Sequence, residues 1–128
     1  MNSLLDTCAL LGLTHLGSPL SRPAARAIKA APELFVSPIS AWEIAIKQAS
    51  GKLHLPAPAY EWFTESCRYY HLTVIPLDAA TVCAGAALPP LHRDPFDRVL
   101  IATALAHHLS LLTSDKIIPT YPVLTVVW

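Results

Sequence analysis

The sequence of 128 residues contains no apolar run that approaches the roughly 20 residues of a membrane-spanning helix. Asp6 interrupts the apolar N-terminus, and no basic segment leads into a long apolar one, so the start of the chain does not resemble a secretion signal. The formal net charge is zero, and the total charge therefore gives no indication of a polyanionic partner. We expect a cytoplasmic protein that does not bind membranes.

Cysteine is scarce and forms no recognisable motif. Cys8, Cys67 and Cys83 include no Cys-x-x-Cys pair, and their neighbours are largely apolar. An odd number of such cysteines predicts free, buried thiols in a reducing compartment. A Gly-rich phosphate loop and a Walker-type lysine are also absent. His107 and His108 are adjacent, so they point about 100° apart on a helix and do not form an i, i+4 pair of zinc ligands.

Short apolar segments predict β-strands that alternate with helices. The strands are expected at residues 3–5, 34–36, 72–76, 109–112 and 123–127. Parallel neighbours need helical crossovers, and strands that are apolar throughout are covered on both faces. The pattern therefore predicts an α/β fold with a mainly parallel sheet. A chain of this length, with 53% apolar residues, suits one domain that spans residues 1–128.

Acidic residues stand where several of these strands end. Asp6 follows the first strand directly, Glu43 lies early in the helix after the second, and Asp115 follows the fourth. Asp94 and Asp97 open the helix that leads into the fourth strand. Because the functional crevice of a parallel sheet lies beyond the carboxyl ends of its strands, we expect these acids at one common rim.

Each acid also has an ordinary structural explanation. Asp6 and Asp94 suit helix N-caps, Asp97 suits the positive end of a helix dipole, and the acid after the fourth strand suits a turn. Ser40 and Glu43 have the spacing of a capping box. Taken together these explanations are weaker, because clustered carboxylates raise one another's pKa unless a cation compensates their charge.

A divalent cation would supply that compensation, since Mg²⁺ and Mn²⁺ prefer oxygen ligands. Such ions polarise phosphoryl groups and activate water, so the acids favour phosphodiester hydrolysis without a covalent protein nucleophile. A cysteine nucleophile is unsupported, because the acids around Cys8 would raise its pKa. An aspartate-dependent phosphatase, the enzyme alternative, would have a second aspartate two residues after Asp6, where Cys8 stands.

Five short motifs follow one another along nearly the whole chain. They are LLDT at 4–7, SPISAWEI at 37–44, GKL at 51–53, HRDPFDRVLIA at 92–102 and LTSD at 112–115. In this order the motifs resemble PIN-domain nucleases, and specifically the VapC-type toxins of bacterial toxin–antitoxin pairs. The resemblance implies a three-layer α/β/α sandwich, endoribonuclease activity with Mg²⁺ or Mn²⁺, homodimerisation and neutralisation by a cognate antitoxin.

The resemblance also carries site residues over to this chain. The metal-binding and catalytic acids correspond to Asp6, Glu43, Asp97 and Asp115. Asp94 is the reserve candidate, as a helix cap or as a group that supports the metal ligands. Thr7, Ser40 and Thr113 resemble the hydroxyl residues that orient carboxylates or water in the family. For Ser40, helix capping remains an alternative.

An RNA substrate needs cations close to the acidic rim. Lys47, about one helical turn past Glu43, and Arg98, next to Asp97, are the strongest candidates for phosphate contacts. The alternative from another class is a catalytically silent PIN-fold module that only binds protein. Retention of all four acids disfavours that alternative, and metal-dependent RNA cleavage would discriminate between the two.

Overall fold

The computed structural model describes all 128 residues and contains one five-stranded sheet with six α-helices. The strands are β1 (Ser3–Leu5), β2 (Leu34–Val36), β3 (Leu72–Val74), β4 (Ser110–Leu112) and β5 (Val126–Val127). The helices are α1 (Thr7–Leu13), α2 (Arg22–Ala30), α3 (Pro38–Ala49), α4 (Ala59–Tyr70), α5 (Ala79–Ala87) and α6 (Pro95–Ala106). No helix has the length and apolarity that a membrane span requires.

All neighbouring strands are parallel, and their order across the sheet is β3-β2-β1-β4-β5. The predicted α/β sandwich with a parallel sheet is therefore confirmed. Three strands are shorter than predicted, β4 by only one residue and β3 and β5 by more. Ile75 still donates its N–H to Val36, but Pro76 has no N–H with which to continue β3. Val123 adopts a left-handed φ of 65°, which delays the start of β5.

Side chains alternate along the two central strands and so divide the core between the faces of the sheet. Leu4 of β1 and Leu111 of β4 pack on the face covered by α6. Leu5 and Leu112, one residue further along each strand, pack on the opposite face with residues of α1 and α4. The short strands thus serve two apolar layers, which explains why they are apolar at every position.

Helices α5 and α6 approach each other closely at Gly85. A Cβ atom at this position would lie 3.2 Å from the carbonyl oxygen of Arg98 and 3.3 Å from Cα of Val99. Glycine therefore allows the backbone of α5 to pack directly against the first turns of α6. This contact fixes the segment between the two helices beside the carboxyl edge of the sheet.

The cysteines differ from the prediction of buried thiols. All three are free, but Cys8 and Cys83 are exposed and Cys67 is only partly buried. The apolar neighbours in sequence lie on other faces of the same helices, so they do not cover the thiols. Cys8, for example, is followed in α1 by the fully buried Ala9 and Leu10.

The sheet has its topological switch point between β1 and β4, because β2 and β3 extend from one side of β1 and β4 lies on the other. The two strands lie side by side, with Leu5 paired to Leu112 at their carboxyl ends. Ligands of open parallel sheets bind at such a point. Asp6 and Thr113 are the first residues beyond these paired ends.

Candidate active site

A cavity of about 230 Å³ opens at this switch point. It is lined almost entirely by polar side chains from separate segments of the chain. The residues are Asp6, Thr7, Cys8, Glu43, Lys47, Asp94, Asp97, Ser114 and Asp115. The fold therefore brings together all of the acids that the sequence analysis selected, with one lysine among them.

Asp6 is the acid of the cavity that is most deeply buried, with 4% of its surface exposed. Its Oδ1 accepts a hydrogen bond of 2.7 Å from the N–H of Ala9, so Asp6 caps α1. Burial raises the pKa of Asp6 from 3.8 to about 6, against the opposing effects of the Thr113 hydroxyl and of the Ala9 N–H.

Glu43 is held from both sides. The hydroxyl of Thr7 donates to its Oε1 at 2.6 Å, and Nζ of Lys47 lies 3.0 Å from its Oε2. The hydroxyl oxygen of Ser40 lies 3.1 Å from that of Thr7 and is fully buried. These contacts fix the Glu43 carboxylate at the cavity wall and connect α1 with α3.

The capping box expected for Ser40 and Glu43 is absent. Helix α3 starts earlier than that spacing indicated, with Ser37 as N-cap and Pro38 at the first helical position. The hydroxyl of Ser37 accepts a hydrogen bond of 3.1 Å from the N–H of Ile39. Ser40 is therefore inside the helix, where its hydroxyl contacts Thr7 and not the helix end.

Asp94 and Asp97 have different surroundings at the start of α6. Oδ1 of Asp94 accepts hydrogen bonds from the N–H groups of Phe96 and Asp97, at 2.8 Å and 3.4 Å, so Asp94 caps the helix. The side chain of Asp97 does not cap the helix. Burial, with a contribution from the charge of Asp94, raises the pKa of Asp97 from 3.8 to about 7, while His92 acts in the opposite direction.

Asp115 is oriented by backbone and side-chain donors. Its Oδ1 accepts hydrogen bonds from the N–H groups of Ile117 and Ile118, at 2.8 Å and 3.1 Å. Its Oδ2 lies 3.0 Å from Nε2 of His92. Partial burial alone would raise the pKa of Asp115, but the hydrogen bonds from His92 and from these two N–H groups outweigh it, and the pKa is lowered.

Sequence reasoning missed His92. It lies between α5 and α6, only 7% exposed, and its Nε2 is also 3.2 Å from Oδ2 of Asp97. No helical spacing in the sequence pairs His92 with an acid, and the tertiary fold brings Asp97 and Asp115 to it. The available signal was the position of His92 as the first residue of the 92–102 motif.

Arg98 does not have the place expected of an RNA contact. Its guanidinium group donates to five backbone carbonyl groups at distances of 2.6–3.2 Å. These belong to Gly85, Ala86, Leu88, Pro89 and His92. A guanidinium has five N–H donors, and all are used here. Arg98 is thus occupied in holding the segment between α5 and α6, and its N–H groups are already used where the sequence predicted a phosphate contact.

The donor set fits a hard divalent cation. Five carboxylates line the cavity, and a single lysine opposes their charge. The raised pKa values of Asp6 and Asp97 have the same cause, because the protein itself compensates these buried negative charges poorly. Mg²⁺ and Mn²⁺ prefer oxygen ligands, and either ion would compensate the negative charge of these carboxylates. Cys8 also reaches the cavity, but partial burial and the charge of Asp6 raise the pKa of its thiol, which disfavours a thiolate ligand or nucleophile.

The burial of Asp6 predicts an unusual dependence of stability on pH in the metal-free protein. Below about pH 4 the carboxyl group is protonated in both the folded and the unfolded state, so its effect is small. Between about pH 4 and pH 6 the carboxyl group ionises in the unfolded state but stays protonated in the folded state, so the folded state loses stability, by up to about 3 kcal/mol for Asp6 above pH 6. Asp6→Asn should therefore be more stable than the wild type at pH 8 in EDTA, and the difference should nearly vanish at about pH 3.

Urea unfolding followed by circular dichroism measures this difference. Asp78→Asn is the matched control, because Asp78 also caps a helix but is exposed and has a lowered pKa. The control should show no gain in stability at pH 8. A wild type that is more stable than Asp6→Asn at pH 8 in EDTA would contradict the charge burial described for the cavity.

Comparison with known proteins identifies the family. A sequence model of the PIN domain matches residues 3–124. The chain belongs to the PIN-domain family. Ribonuclease VapC22 from Mycobacterium tuberculosis is 32% identical to this PIN domain over 98 residues, which cover 76% of this chain and 74% of the relative. The predicted membership of the VapC-type PIN domains is therefore confirmed.

Solved structures share the fold of this PIN domain over almost its whole length. A toxin–antitoxin complex from Klebsiella pneumoniae has a TM-score of 0.65 at 22% identity, covering 94% of this chain and 92% of its own. VapBC2 from Rickettsia felis, bound to a DNA fragment from its promoter, has a TM-score of 0.67 at 16% identity. The match covers 98% of this chain and 97% of the neighbour's chain. These likenesses confirm the PIN-like α/β/α sandwich.

Proposed function

We propose that this PIN domain, formed by residues 1–128, is a metal-dependent endoribonuclease toxin that is neutralised by a cognate antitoxin. One observation carries the proposal: carboxylates from separate segments of the chain line one cavity at the switch point of the sheet. The name of the relative VapC22, a ribonuclease, supports RNA as the substrate. The toxin–antitoxin complex among the structural neighbours supports the antitoxin.

Four acids would hold Mg²⁺, with Mn²⁺ as a substitute: Asp6, Glu43, Asp97 and Asp115. The bound ion would polarise the scissile phosphoryl group and lower the pKa of the attacking water. Asp94 is a supporting residue in this account, because Oδ1 of its carboxylate is used by the N-terminus of α6. Its remaining negative charge raises the pKa of Asp97 and so strengthens the need for a cation.

Hydroxyl groups would keep the acids in position between turnovers. Thr7 donates to Glu43, the Thr113 hydroxyl lowers the pKa of Asp6, and Oγ1 of Thr113 accepts the N–H of Asp115 at 3.1 Å. Such supporting hydrogen bonds orient metal-binding carboxylates before the ion arrives. The predicted roles of Thr7, Ser40 and Thr113 therefore remain part of the proposal.

Lys47 is the proposed phosphate contact, since its ammonium group lies at the cavity and 39% of its side chain is exposed. Lys47→Gln should raise KM about ten-fold, with a smaller effect on kcat. Loss of one phosphate contact should also make the slope of log KM against log salt concentration shallower by about 0.7. Steady-state cleavage of a short labelled RNA between 50 and 300 mM KCl would measure both quantities.

Lys52→Gln is the control for this experiment. Lys52 has the same charge and follows the same helix, but it is exposed and lies outside the cavity. Its substitution should leave KM within about two-fold of the wild type. Equal salt slopes for Lys47→Gln and the wild type would remove Lys47 from the proposed RNA-binding surface.

We extend the proposal to a homodimer that acts in the cytoplasm. Several large apolar or aromatic side chains are exposed on the helices, among them Trp42 at 60% and Tyr60 at 79%. Exposed apolar surface of this kind is typical of protein interfaces. Size-exclusion chromatography with light scattering would measure the mass of the protein in solution against the 13.9 kDa of one chain.

Cleavage of total cellular RNA by the purified protein would test the proposed activity. Reactions with Mg²⁺, with Mn²⁺ and with EDTA should give discrete fragments only where a divalent ion is present. Total RNA is used because a toxin with a narrow target would be missed with a single model substrate. Intact RNA under all conditions, with a well-folded protein, would favour the silent protein-binding module.

A further inference from the structure

A histidine that the proposed mechanism has not used joins two of the acids. Nε2 of His92 lies 3.0 Å from Oδ2 of Asp115 and 3.2 Å from Oδ2 of Asp97. The side chain of His92 is 92% buried, so its ring contacts these carboxylates and the surrounding backbone and has little contact with solvent. His92 thus connects the start of α6 with the segment that follows β4, across the wall of the cavity.

The other ring nitrogen determines the tautomer of His92. The backbone N–H of Asp94 donates a hydrogen bond of 3.0 Å to Nδ1. A nitrogen that accepts a hydrogen bond carries no hydrogen of its own, so in the neutral ring the hydrogen is on Nε2. Nε2 therefore donates to Oδ2 of Asp115, while Oδ2 of Asp97 lies 3.2 Å from the same nitrogen.

This arrangement is the reverse of a metal-binding histidine. Such a residue presents a free lone pair to the ion and donates the N–H of its other nitrogen to a carboxylate or a carbonyl group. In His92 the nitrogen beside the acids carries the hydrogen, and the opposite nitrogen faces an N–H donor. The three side chains are near enough to one another to hold an ion together, but the hydrogen-bond pattern gives His92 the role of donor.

The backbone of His92 is fixed independently of its ring. Its N–H donates to the hydroxyl oxygen of Tyr121 at 2.9 Å, and its carbonyl accepts from Arg98 at 2.9 Å. The hydroxyl of Tyr121 in turn donates to the carbonyl of Pro89 at 2.8 Å. The segment that carries His92 is therefore held in place by Arg98 and Tyr121, and a change of the ring leaves these backbone contacts intact.

We propose that His92 is a positioning residue. Its Nε2–H holds the carboxylate of Asp115 by a hydrogen bond and attracts the adjacent carboxylate of Asp97, which keeps the two acids at the spacing that a divalent cation requires. The inference rests on the proposed function in one respect, namely that these two acids bind the ion. The clamp matters because Asp97 and Asp115 belong to different segments and no hydrogen bond joins them directly. Without His92, mutual repulsion would separate the two carboxylates before the ion binds.

The test compares Mn²⁺ affinity, measured by titration calorimetry, in the wild type, His92→Gln and His92→Leu. Gln can place an N–H donor near the position of Nε2, whereas Leu fills similar space with no donor. Loss of a group that orients metal ligands typically weakens metal binding about 10- to 100-fold. We expect this loss for His92→Leu and a dissociation constant within about three-fold of the wild type for His92→Gln.

A second measurement does not depend on any variant. Long-range ¹H–¹⁵N correlation spectra of the metal-free wild type should give the shift pattern of a ring with its hydrogen on Nε2. A hydrogen on Nδ1, or equal Mn²⁺ affinity in the wild type and His92→Leu, would overturn the proposal. If His92→Leu fails to fold, the tautomer and the affinity of His92→Gln decide. Neither readout uses RNA, so a protein that binds Mn²⁺ but cleaves no RNA would overturn the proposed activity alone.

Discussion

Asp97→Asn should abolish metal-dependent RNA cleavage, with a loss of at least about 100-fold in kcat/KM, while the protein remains folded. Asp97 is the acid whose ionised form is most costly in the metal-free cavity, since burial and the charge of Asp94 raise its pKa to about 7. An amide removes the negative charge that would bind the ion but preserves the size of the side chain. The loss follows because correctly placed ligand charge contributes several kcal/mol to metal-ion catalysis.

Asp94→Asn is the matched control for Asp97→Asn. The two residues line the same cavity and the two substitutions remove the same charge. Asn is as good an N-cap as Asp, so the hydrogen bonds to the N–H groups of Phe96 and Asp97 can be kept. We expect cleavage within about ten-fold of the wild type. If Asp94→Asn were inactive and Asp97→Asn active, the two acids would have exchanged roles.

Arg98→Met should lower the free energy of unfolding by roughly 2–4 kcal/mol. Five carbonyl groups accept hydrogen bonds from the Arg98 guanidinium, and a buried acceptor left without a donor costs about 1–3 kcal/mol. The estimate is below the full sum because some of these carbonyls lie near the surface and would be hydrated. Met preserves the apolar stem of the side chain, so the change isolates the guanidinium group.

Urea unfolding of Arg98→Met at pH 5, with Arg93→Met as control, would measure this effect. Arg93 has the same charge, lies five residues earlier and is exposed. Its substitution should change the free energy of unfolding by less than about 0.5 kcal/mol. Equal stability of the two variants would mean that the hydrogen bonds of Arg98 contribute no net free energy to the segment before α6.

The acids of the cavity could be predicted from the sequence, because they depend on a rule of topology. A parallel sheet collects the residues after its strands at one edge, and the positions of Asp6 and Asp115 need only the strand ends to be known. The capping role of Asp94 was equally accessible, since Pro95 follows it at the first helical position. In both cases a local pattern is sufficient.

Other features depend on contacts that no spacing encodes. Ser40 and Glu43 fit a capping box, but Ser37 and Pro38 start the helix earlier, and tertiary contact with α1 determines what Ser40 touches. The groups that Arg98 contacts are backbone carbonyls. Every residue has such a group, so the sequence does not indicate which of them an arginine will contact. His92 meets Asp115 across 23 positions, so its role became visible only with the fold.

The chemical nature of the RNA ends is the most direct test of the central claim that the carboxylate cavity hydrolyses RNA with a divalent ion. Attack by a metal-activated water molecule breaks one P–O bond and leaves a linear phosphate monoester on one fragment and a hydroxyl group on the other. We expect linear ends, formed with Mg²⁺ or Mn²⁺ and absent in EDTA. Fragments with 2′,3′-cyclic phosphate ends that persist in EDTA would require attack by the RNA's own 2′-hydroxyl and would contradict the account.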